Sequence, residues 1–400
     1  MNPNQKKLVT STVPILKTNG TDLTKHFYAR MFKHHPELKN IFNMSHQASG
    51  KQQHALAGAV LAYAEHIENP EVLINVLKSI GNKHVSLNIS PEQYDIVGHH
   101  LISSIKEVLG EAATDELIEA WTQAYNELAQ IMISIEEDLY QSTLKKEGGW
   151  KGWRTFVIAD IVEESSEVKS FYLKPKDQDS IADYLPGQYL SVKLFIPGLG
   201  HEQVRQYSLS SAFNPEYYRI SVKKEVNANA PEGAVSNVLH QKNTGDEIWV
   251  SAPSGVFHAG VDGHQPLVLI SGGIGVTPLL SMLETNKNKL QENTTVWLHS
   301  CRNEKVHAFK DQIDLLNQDS EWLTTHIFYE TVSKNENNAI KEGRIDLAEL
   351  KDEVLIDDAK YYICGPEVFI KVQYNSLIKL GIAQENILFE EFGPQLLHFN

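Results

Sequence analysis

Apolar and polar residues recur with helical spacing over the first 145 residues, and strand-like alternation is almost absent there. Four apolar residues fall on one face of a predicted helix: Leu23, Phe27, Met31 and Phe32. Three helix breakers divide the segment: Pro70, Pro91 and Gly110. Ser90, Pro91 and Gln93 together predict a capped helix start, and the last helix is predicted from about Asp115 to Tyr140. The pattern predicts an all-α module.

The pattern changes after a charged, glycine-containing stretch at residues 145–154, which we interpret as a linker. Short alternating runs follow, with prolines and glycines between them. Four of these runs are predicted strands: Arg154–Asp160, Val168–Leu173, Tyr189–Leu194 and Tyr218–Val222. Alternation of this kind is typical of an antiparallel β-barrel or sandwich, and we expect the barrel.

The pattern of apolar and polar residues changes again near residue 265, where apolar runs alternate with helical patterns. Four runs are predicted buried strands: Pro266–Ser271, Thr295–Ser300, His326–Glu330 and Tyr361–Cys364. Strands that alternate with helices predict a parallel sheet with a crevice at the strand ends. The chain is therefore predicted to contain three domains, at residues 1–146, 151–262 and 263–400.

Composition excludes several classes of protein. The hydrophobic fraction of 42% and charged fraction of 22% are those of a globular protein, and the net charge of −15 argues against a nucleic-acid partner. The two cysteines, Cys301 and Cys364, form no metal-like spacing and no disulfide framework. The uncharged stretch at residues 265–283 contains glycines and a proline, so we interpret it as strand, loop and helix start rather than a membrane span. No secretory signal is predicted. We expect a cytoplasmic monomer without integral membrane contact.

The second predicted domain contains the run Arg205-Gln206-Tyr207-Ser208, preceded by a tyrosine in Pro186-Gly187-Gln188-Tyr189. Taken alone, this run is either ordinary strand sequence or a candidate flavin site. An arginine supplies a fixed cation for a phosphate, a tyrosine ring can lie against a flavin, and a serine can bond near its reactive nitrogen. A second group, Gly233, Val235 and Ser236, lies where a helix is predicted to begin, and backbone amides there would bind a pyrophosphate.

A glycine loop follows the first buried strand of the third predicted domain. Its candidate binding residues are Gly272, Gly273, Gly275, Val276 and Thr277. Glycines allow close approach of a dinucleotide pyrophosphate, and the following helix N-terminus favours its charge. Near the end of the chain come two further motifs: Cys364-Gly365-Pro366, and Phe392-Gly393-Pro394 after Glu391.

In this order the motifs resemble the ferredoxin-reductase family, which moves a hydride from a nicotinamide to a bound flavin. The resemblance implies that Arg205, Gln206, Tyr207, Ser208 and Tyr189 contact FAD, and that the glycine loop binds NAD(P)H. It also implies that Cys364 lies beside the nicotinamide and that Phe392 lies against the flavin. A buried, inert cysteine and a core phenylalanine are the simpler alternatives for these two residues.

In the helical module, His84 is the best-placed of 17 histidines. It ends a predicted helical pattern formed by Val72, Val76 and Ile80 and precedes the breaker at Pro91. A histidine there can face a slot between helices and reach heme iron.

Three segments then make the module recognisable: residues 27–32, residues 36–45, and Lys83-His84 followed by residues 91–98. With the reductase motifs they resemble the flavohemoglobins, which are nitric oxide dioxygenases with a globin, an FAD domain and an NAD(P)H domain. The resemblance implies heme b, FAD and NAD(P)H as cofactors, and nitric oxide and dioxygen as substrates. NAD(P)H would reduce FAD, FAD would reduce the heme iron, and heme-bound dioxygen would convert nitric oxide to nitrate.

The same resemblance implies roles in the globin. His84 would be the iron ligand, with Tyr94 and Glu136 hydrogen-bonded around it. Tyr28 and Gln52 would steady dioxygen, and Phe42 and Leu56 would pack on the heme. Spacing alone does not choose Gln52 over His54 as the distal residue, and Glu136 lies in a charged run that is typical of a solvated helix face.

Two other functions remain open from the residues. In one, the globin stores or senses dioxygen. In the other, the helical module holds no heme and the chain acts only as a flavin reductase. The sequence also leaves open whether Arg302, just after a predicted strand, meets the 2′-phosphate of NADPH.

Overall fold

The computed structural model describes residues 1–225, 233–260, 265–290, 294–318, 320–332 and 340–393, without the side chains of residues 288–290. The chain divides into two compact units. The first contains Met1–Trp153, Lys193–Arg205 and Gly393, and the second contains Arg154–Val192 and Gln206–Phe392. The three predicted domain boundaries stay a prediction.

Helices make up the first 144 residues, as the hydrophobic pattern predicted. They are α1 (Pro3–Ser11), α2 (Val13–His34), α3 (Met44–Ala48), α4 (Lys51–Glu65), α5 (Ile74–Ser86), α6 (Pro91–Leu109) and α7 (Asp115–Leu144). Short 3-10 helices lie at Pro36–Asn40, Pro70–Leu73 and Gly110–Ala112. No helix in the described ranges combines the length and the apolar character needed to cross a bilayer.

Local sequence explains where the long helices begin. Pro91 occupies the first turn of α6, and the Gln93 side chain accepts a hydrogen bond from the Ser90 amide at 3.0 Å, as the capping pattern predicted. Thr114 caps α7 by accepting from the Leu117 amide at 3.3 Å. The predicted end of this last helix falls four residues short, since α7 continues to Leu144.

The helical core confirms the pattern on α2 and corrects the one on α5. Leu23, Phe27 and Met31 are buried together. Val72 lies in a 3-10 helix and is 56% exposed, and Val76 on α5 is 47% exposed, so the predicted apolar face is wrong there. The buried face of α5 instead includes Gly81, because α7 passes so close that a Cβ at Gly81 would lie 2.8 Å from Ile135 Cγ2.

A six-stranded antiparallel sheet follows the helices. Its strands are β1 (Arg154–Glu163), β2 (Val168–Pro175), β3 (Tyr189–Ile196), β4 (His201–Ser208), β5 (Tyr218–Lys223) and β6 (Glu247–Val250). Their order is β4-β3-β6-β1-β2-β5. Leu209, directly after β4, pairs with Ile220 of β5, so the two ends of this order meet as in a barrel. One helix, α8 (Ala234–His240), belongs to this part of the chain.

The last part is an α/β fold with a parallel sheet. Its strands are β7 (Leu267–Gly272), β8 (Thr295–Cys301), β9 (Leu323–Tyr329), β10 (Ile340–Glu342), β11 (Lys360–Gly365) and β12 (Ile387–Glu391). Its helices are α9 (Val276–Leu290), α10 (Lys310–Asn317), α11 (Lys351–Val354) and α12 (Glu367–Lys379). The fold class predicted from the sequence is confirmed for all three parts.

The order of these strands defines a ligand crevice. The strand order is β10-β9-β8-β7-β11-β12. After β7, the strands β8, β9 and β10 are added on one side of it, and β11 and β12 are then added on its other side. In open parallel sheets, ligands bind at such a reversal, outside the carboxyl ends of the two strands. The ends of β7 and β11 carry the predicted glycine loop and the Cys364-Gly365-Pro366 motif.

Candidate functional site

The His84 side chain is held by two polar groups. Its Nδ1 lies 2.7 Å from Glu136 Oε1 and 3.0 Å from the Tyr94 hydroxyl. The Tyr94 hydroxyl itself donates a short hydrogen bond to Glu136 Oε1. A carboxylate only accepts, so this arrangement places the imidazole proton on Nδ1 and leaves the Nε2 lone pair for a metal.

Packing around this group fixes its members. Glu136 on α7 is buried, which excludes the solvated-face alternative for this charged run. Tyr94 is anchored through its backbone, because the Tyr125 hydroxyl donates to its carbonyl at 2.6 Å. Gly98, one turn further along α6, makes room for that ring, since a Cβ there would collide with Tyr125.

Electrostatics keep the phenol of this group neutral. Burial and the neighbouring Glu136 carboxylate raise the pKa of Tyr94 well above its usual range. Tyr94 therefore remains a hydrogen-bond donor to Glu136 at any physiological pH. The carboxylate in turn stays available to accept from His84 and to increase the electron density on its ring.

A heme iron fits this donor set. Within the described ranges, no three His, Cys, Asp or Glu side chains form a metal site of their own. A porphyrin supplies four iron ligands itself, so one oriented histidine is the only donor that the protein must provide on this side. His84, whose ring is fixed through Nδ1, meets that requirement.

The predicted distal residues lie together in the helical part of the chain. Tyr28 is 5% exposed, and its ring centroid lies 5.7 Å from that of Phe42. Burial raises the pKa of Tyr28, while hydrogen bonds with the Gln47 and Gln52 side chains lower it in part. Leu56 is half-buried in the same cluster. Tyr28 thus presents a neutral hydroxyl among apolar rings and amides.

The two candidates for the distal residue, Gln52 and His54, have different surroundings in the structure. A third candidate also appears, which the sequence did not indicate. His54 is exposed, and its Nδ1 lies 3.2 Å from the Thr21 hydroxyl, away from Tyr28. Gln52, two residues earlier on α4, interacts with Tyr28. Gln47 on α3 also interacts with Tyr28, and its Oε1 accepts a hydrogen bond from Gln53 Nε2 at 2.9 Å. Its buried Nε2 is a further donor next to the Tyr28 hydroxyl and is suited to an oxygen-containing ligand.

Arg205 lies on β4 and belongs to a basic cluster. Its Nη1 donates to the Val204 carbonyl at 2.7 Å, and its Nη2 lies 3.5 Å from Ser45 Oγ. Burial, followed by the charges of Arg205, Lys83 and Lys51, lowers the pKa of His46 to about 4. Three cations near a neutral imidazole form a region suited to a phosphate.

We predict that Arg205→Ala weakens FAD binding. A charge-assisted contact is worth roughly 1.5–3 kcal/mol, so the dissociation constant should rise by about one to two orders of magnitude. Fluorescence titration of the FAD-depleted protein measures it, with Arg344→Ala, which removes an exposed arginine, as the control. An unchanged affinity would mean that the motif is ordinary strand sequence.

The other predicted flavin residues follow strand geometry. Arg205 and Tyr207 share one face of β4, while Gln206 and Ser208 share the other. Tyr189 at the start of β3 pairs with Ser254, and its ring covers Gly255, where φ is +125° and a Cβ would lie 3.0 Å from the ring. Their contacts with FAD stay predictions.

The predicted pyrophosphate turn does begin a helix. Gly233 precedes α8, and the Ser236 hydroxyl donates to the Gly233 carbonyl at 3.0 Å. Val235 is fully buried and Ser236 nearly so. Their side chains are thus engaged in packing and capping. The predicted contact with the pyrophosphate would therefore be made by backbone amides.

The glycine loop has the close packing that a dinucleotide site requires. A Cβ at Gly275 would collide with the Cys364 carbonyl, and one at Gly272 would lie 3.0 Å from the Phe369 ring. Gly273 has φ +55°, a left-handed conformation that glycine adopts without strain. Val276 and Thr277 are buried and begin α9. The helix N-terminus therefore opens at the switch point, where it favours an anionic ligand.

The C-terminal motifs have different exposures. Cys364 is fully buried, and burial raises its pKa well above the usual range, so the thiol stays protonated. Gly365 packs on Phe369, while Pro366 is exposed and precedes α12. Phe392 is 47% exposed, Gly393 accepts from the Lys83 ammonium at 2.5 Å, and Pro394 lies outside the described residues. Their cofactor contacts stay predictions.

Arg302 follows β8 and makes a short ion pair with Glu167, on the turn before β2. This carboxylate already neutralises the charge of the Arg302 guanidinium. The choice between NADH and NADPH stays open.

Comparison with known proteins matches all three parts. Residues 25–132 match the Globin family, residues 155–259 the Oxidoreductase FAD-binding domain, and residues 269–374 the Oxidoreductase NAD-binding domain. The chain is 48% identical over 397 residues to the flavohemoprotein of Rhizobium meliloti, covering 98% of both chains. It is 44% identical over 392 residues to that of Bacillus cereus, covering 97% of both.

Two solved structures are similar. The flavohemoglobin of Malassezia yamatoensis with bound FAD and heme has a TM-score of 0.87 at 26% identity, covering 98% of this chain and 99% of that one. The FAD/NAD binding domain of the nitric oxide dioxygenase from Vibrio cholerae has a TM-score of 0.56 at 35% identity, covering 60% of this chain and 99% of that one.

Proposed function

Because the chain belongs to the flavohemoprotein family, we propose that it is a nitric oxide dioxygenase that uses NAD(P)H. Nitric oxide and dioxygen are its substrates, nitrate is its product, and heme b, FAD and NAD(P)H are its cofactors. The relative from Vibrio cholerae that carries this activity in its name supports the proposal over the reductase part of the chain.

One observation carries the proposal: His84, the proposed iron ligand, is hydrogen-bonded to a buried carboxylate. The 2.7 Å contact between His84 Nδ1 and Glu136 gives the imidazole partial anionic character. An electron-rich ligand favours oxygen activation over simple reversible binding. A reductase on the same chain adds a constant electron supply, which storage does not need.

Each part of the chain has a defined task. When bound, heme supplies oxygen activation, and FAD converts a two-electron donor into two one-electron steps. His84, oriented by Glu136 and Tyr94, would hold the iron. Tyr28 and Gln52 offer a hydroxyl and an amide to dioxygen, while Phe42 and Leu56 exclude water from the pocket.

On the reductase side, Arg205 neutralises phosphate charge, and Tyr207 and Tyr189 hold the flavin ring. Ser208 offers a hydroxyl near the reactive nitrogen. The glycine loop and the N-terminus of α9 bind the nicotinamide dinucleotide, and Cys364 closes the crevice beneath it. Its protonated thiol carries no charge that would oppose a hydride.

The alternative functions differ in how much nitric oxide the protein consumes. With excess NADH and dioxygen, a dioxygenase consumes nitric oxide continuously, which an electrode follows directly. An oxygen store would stop after about one nitric oxide per heme, because ferric iron is not reduced in its normal cycle. A flavin reductase without heme would show no Soret band. Either result would contradict the proposal.

We predict that Tyr28→Phe speeds dioxygen release from the reduced protein. The hydroxyl is buried among apolar rings and amide side chains, and losing its hydrogen bond to dioxygen costs about 1–3 kcal/mol. The dissociation rate should rise about tenfold or more, measured by stopped flow. Reduction of FAD by NADH should not change.

The control for this variant is Tyr140→Phe, which removes a hydroxyl bonded to the Ile89 carbonyl at 3.1 Å. Its dioxygen dissociation rate should equal that of the wild type. If Tyr28→Phe also left the rate unchanged, Tyr28 would be a packing residue and the distal role would pass to Gln52 or Gln47.

A further inference from the structure

Helix α9, which begins at the glycine loop, carries two polar residues that face the β-barrel. Ser281 and Glu284 are three residues apart and share one side of the helix. Ser281 is fully buried, and the Glu284 side chain is 15% exposed. A carboxylate at such a position is costly unless its oxygens are bonded.

Both side chains bond to the segment that follows β4. The Ser281 hydroxyl donates to the Ser211 carbonyl at 2.6 Å. Glu284 Oε2 accepts from the Ala212 amide at 2.7 Å, and Glu284 Oε1 accepts from Arg219 Nη2 at 3.1 Å. The helix that carries the glycine loop is therefore joined to the barrel at three points.

Arg219 fixes the same segment from its other side. It lies on β5 and is 7% exposed. Its Nε donates to Ser210 Oγ at 3.2 Å, and its Nη2 also donates to the Ser210 carbonyl. Ser210 comes two residues after Ser208, the proposed partner of the flavin's reactive nitrogen. The network thus connects the two segments that would hold the reacting rings.

We infer that Glu284, together with Arg219, is a positioning residue for hydride transfer. It sets the register of α9, and so of the glycine loop, against the flavin-binding end of β4. This inference rests on the proposed function. In the step concerned, a hydride with its two electrons leaves C4 of NADH and bonds to N5 of FAD, giving NAD⁺ and FADH⁻.

A positioning role explains why the pair is ionic. Replacing a buried ion pair with apolar residues is often neutral or stabilising, so stability alone is weak grounds for keeping it. Bonded charges do fix one geometry. Hydride transfer depends on that geometry, because a displacement of about 1 Å can slow a reaction about 100-fold.

The test is Glu284→Gln, which keeps the shape and an acceptor for Ala212 but removes the charge. In the FAD-loaded full chain without dioxygen, FAD reduction at saturating NADH should slow about tenfold. The NADH concentration at half-saturation should stay near that of the wild type. The charge-transfer absorbance band, which arises when NAD⁺ stacks on the reduced flavin, should weaken.

Hydrogen–deuterium exchange gives a readout that needs no NADH. The amides of residues 210–212 and 273–277 should exchange faster in Glu284→Gln. The matched control is Asp177→Asn, which breaks an ion pair with Arg154 (2.9 Å to Nε) that lies within the barrel. This control should leave both the rate and the exchange of these segments unchanged.

A wild-type reduction rate with wild-type exchange in Glu284→Gln would overturn the inference, and so would equal slowing in Asp177→Asn. If Glu284→Gln yields no folded protein, Arg219→Lys replaces it; slower FAD reduction is expected there, and an unchanged rate overturns the inference. If NADH did not reduce FAD even in the wild-type protein, that result would contradict the proposed function. The hydrogen–deuterium exchange of Glu284→Gln would still test the inference by itself.

Discussion

His84→Ala is expected to remove most of the heme while leaving FAD in place. Residues that merely orient a metal ligand contribute about 10–100-fold to metal affinity, so loss of the ligand should cost about 100-fold or more. The Soret absorbance per chain, compared with the flavin absorbance after extraction, measures this result. Added imidazole should restore part of the heme spectrum, because it can replace the missing side chain.

The control for this prediction is His54→Ala, which removes an exposed histidine bonded to Thr21. Its heme content should match that of the wild type. Full heme occupancy with an unchanged Soret band in His84→Ala would rule out His84 as the ligand and would remove the reason for the buried Glu136 and Tyr94 beside it.

Gly275→Ala is expected to block NADH-driven reduction of FAD. The added methyl group collides with the Cys364 carbonyl, which is fixed within the parallel sheet, so the glycine loop must move instead. A shift of about 1 Å in the nucleotide site would slow flavin reduction about 100-fold. Rapid mixing with NADH, followed at the flavin absorbance, measures the rate.

Gly381→Ala separates the collision from backbone strain. Gly381 lies just after α12, outside the glycine loop, and an added Cβ there has no atom within 4 Å, but φ is +90°. This variant should lose about 1–2 kcal/mol of stability yet reduce FAD at nearly the wild-type rate. A wild-type rate in Gly275→Ala would contradict the placement of the nucleotide at this loop.

The sequence predicted the parts of the fold that depend on local patterns. Leu23, Phe27 and Met31 are buried as their spacing predicted, and the glycine loop and the Cys364 motif lie at the ends of adjacent parallel strands. The motifs were informative because close backbone approach and helix starts require particular residues at fixed spacing. The choice among Tyr28, Gln52, Tyr94 and Glu136 came from the family resemblance and not from spacing.

The remaining features depend on contacts between distant segments. Glu136 lies in a charged run, and only the packing of α7 shows that this one carboxylate is buried against His84. Gln47 has no sequence signal, because its amide meets Tyr28 only after α3 folds back. Val76 has an apolar side chain at helical spacing, yet it is exposed because α5 turns Gly81 toward α7.

Isotope labelling of the product tests the central claim most directly. With ¹⁸O-labelled dioxygen, nitric oxide and NADH, nitrate should carry both atoms of one dioxygen molecule. One NADH should be consumed for every two nitrates, since each NADH supplies two electrons and each turnover uses one. Nitrate with one labelled oxygen or none, or nitric oxide loss that ends after one equivalent per heme, would contradict the proposed function.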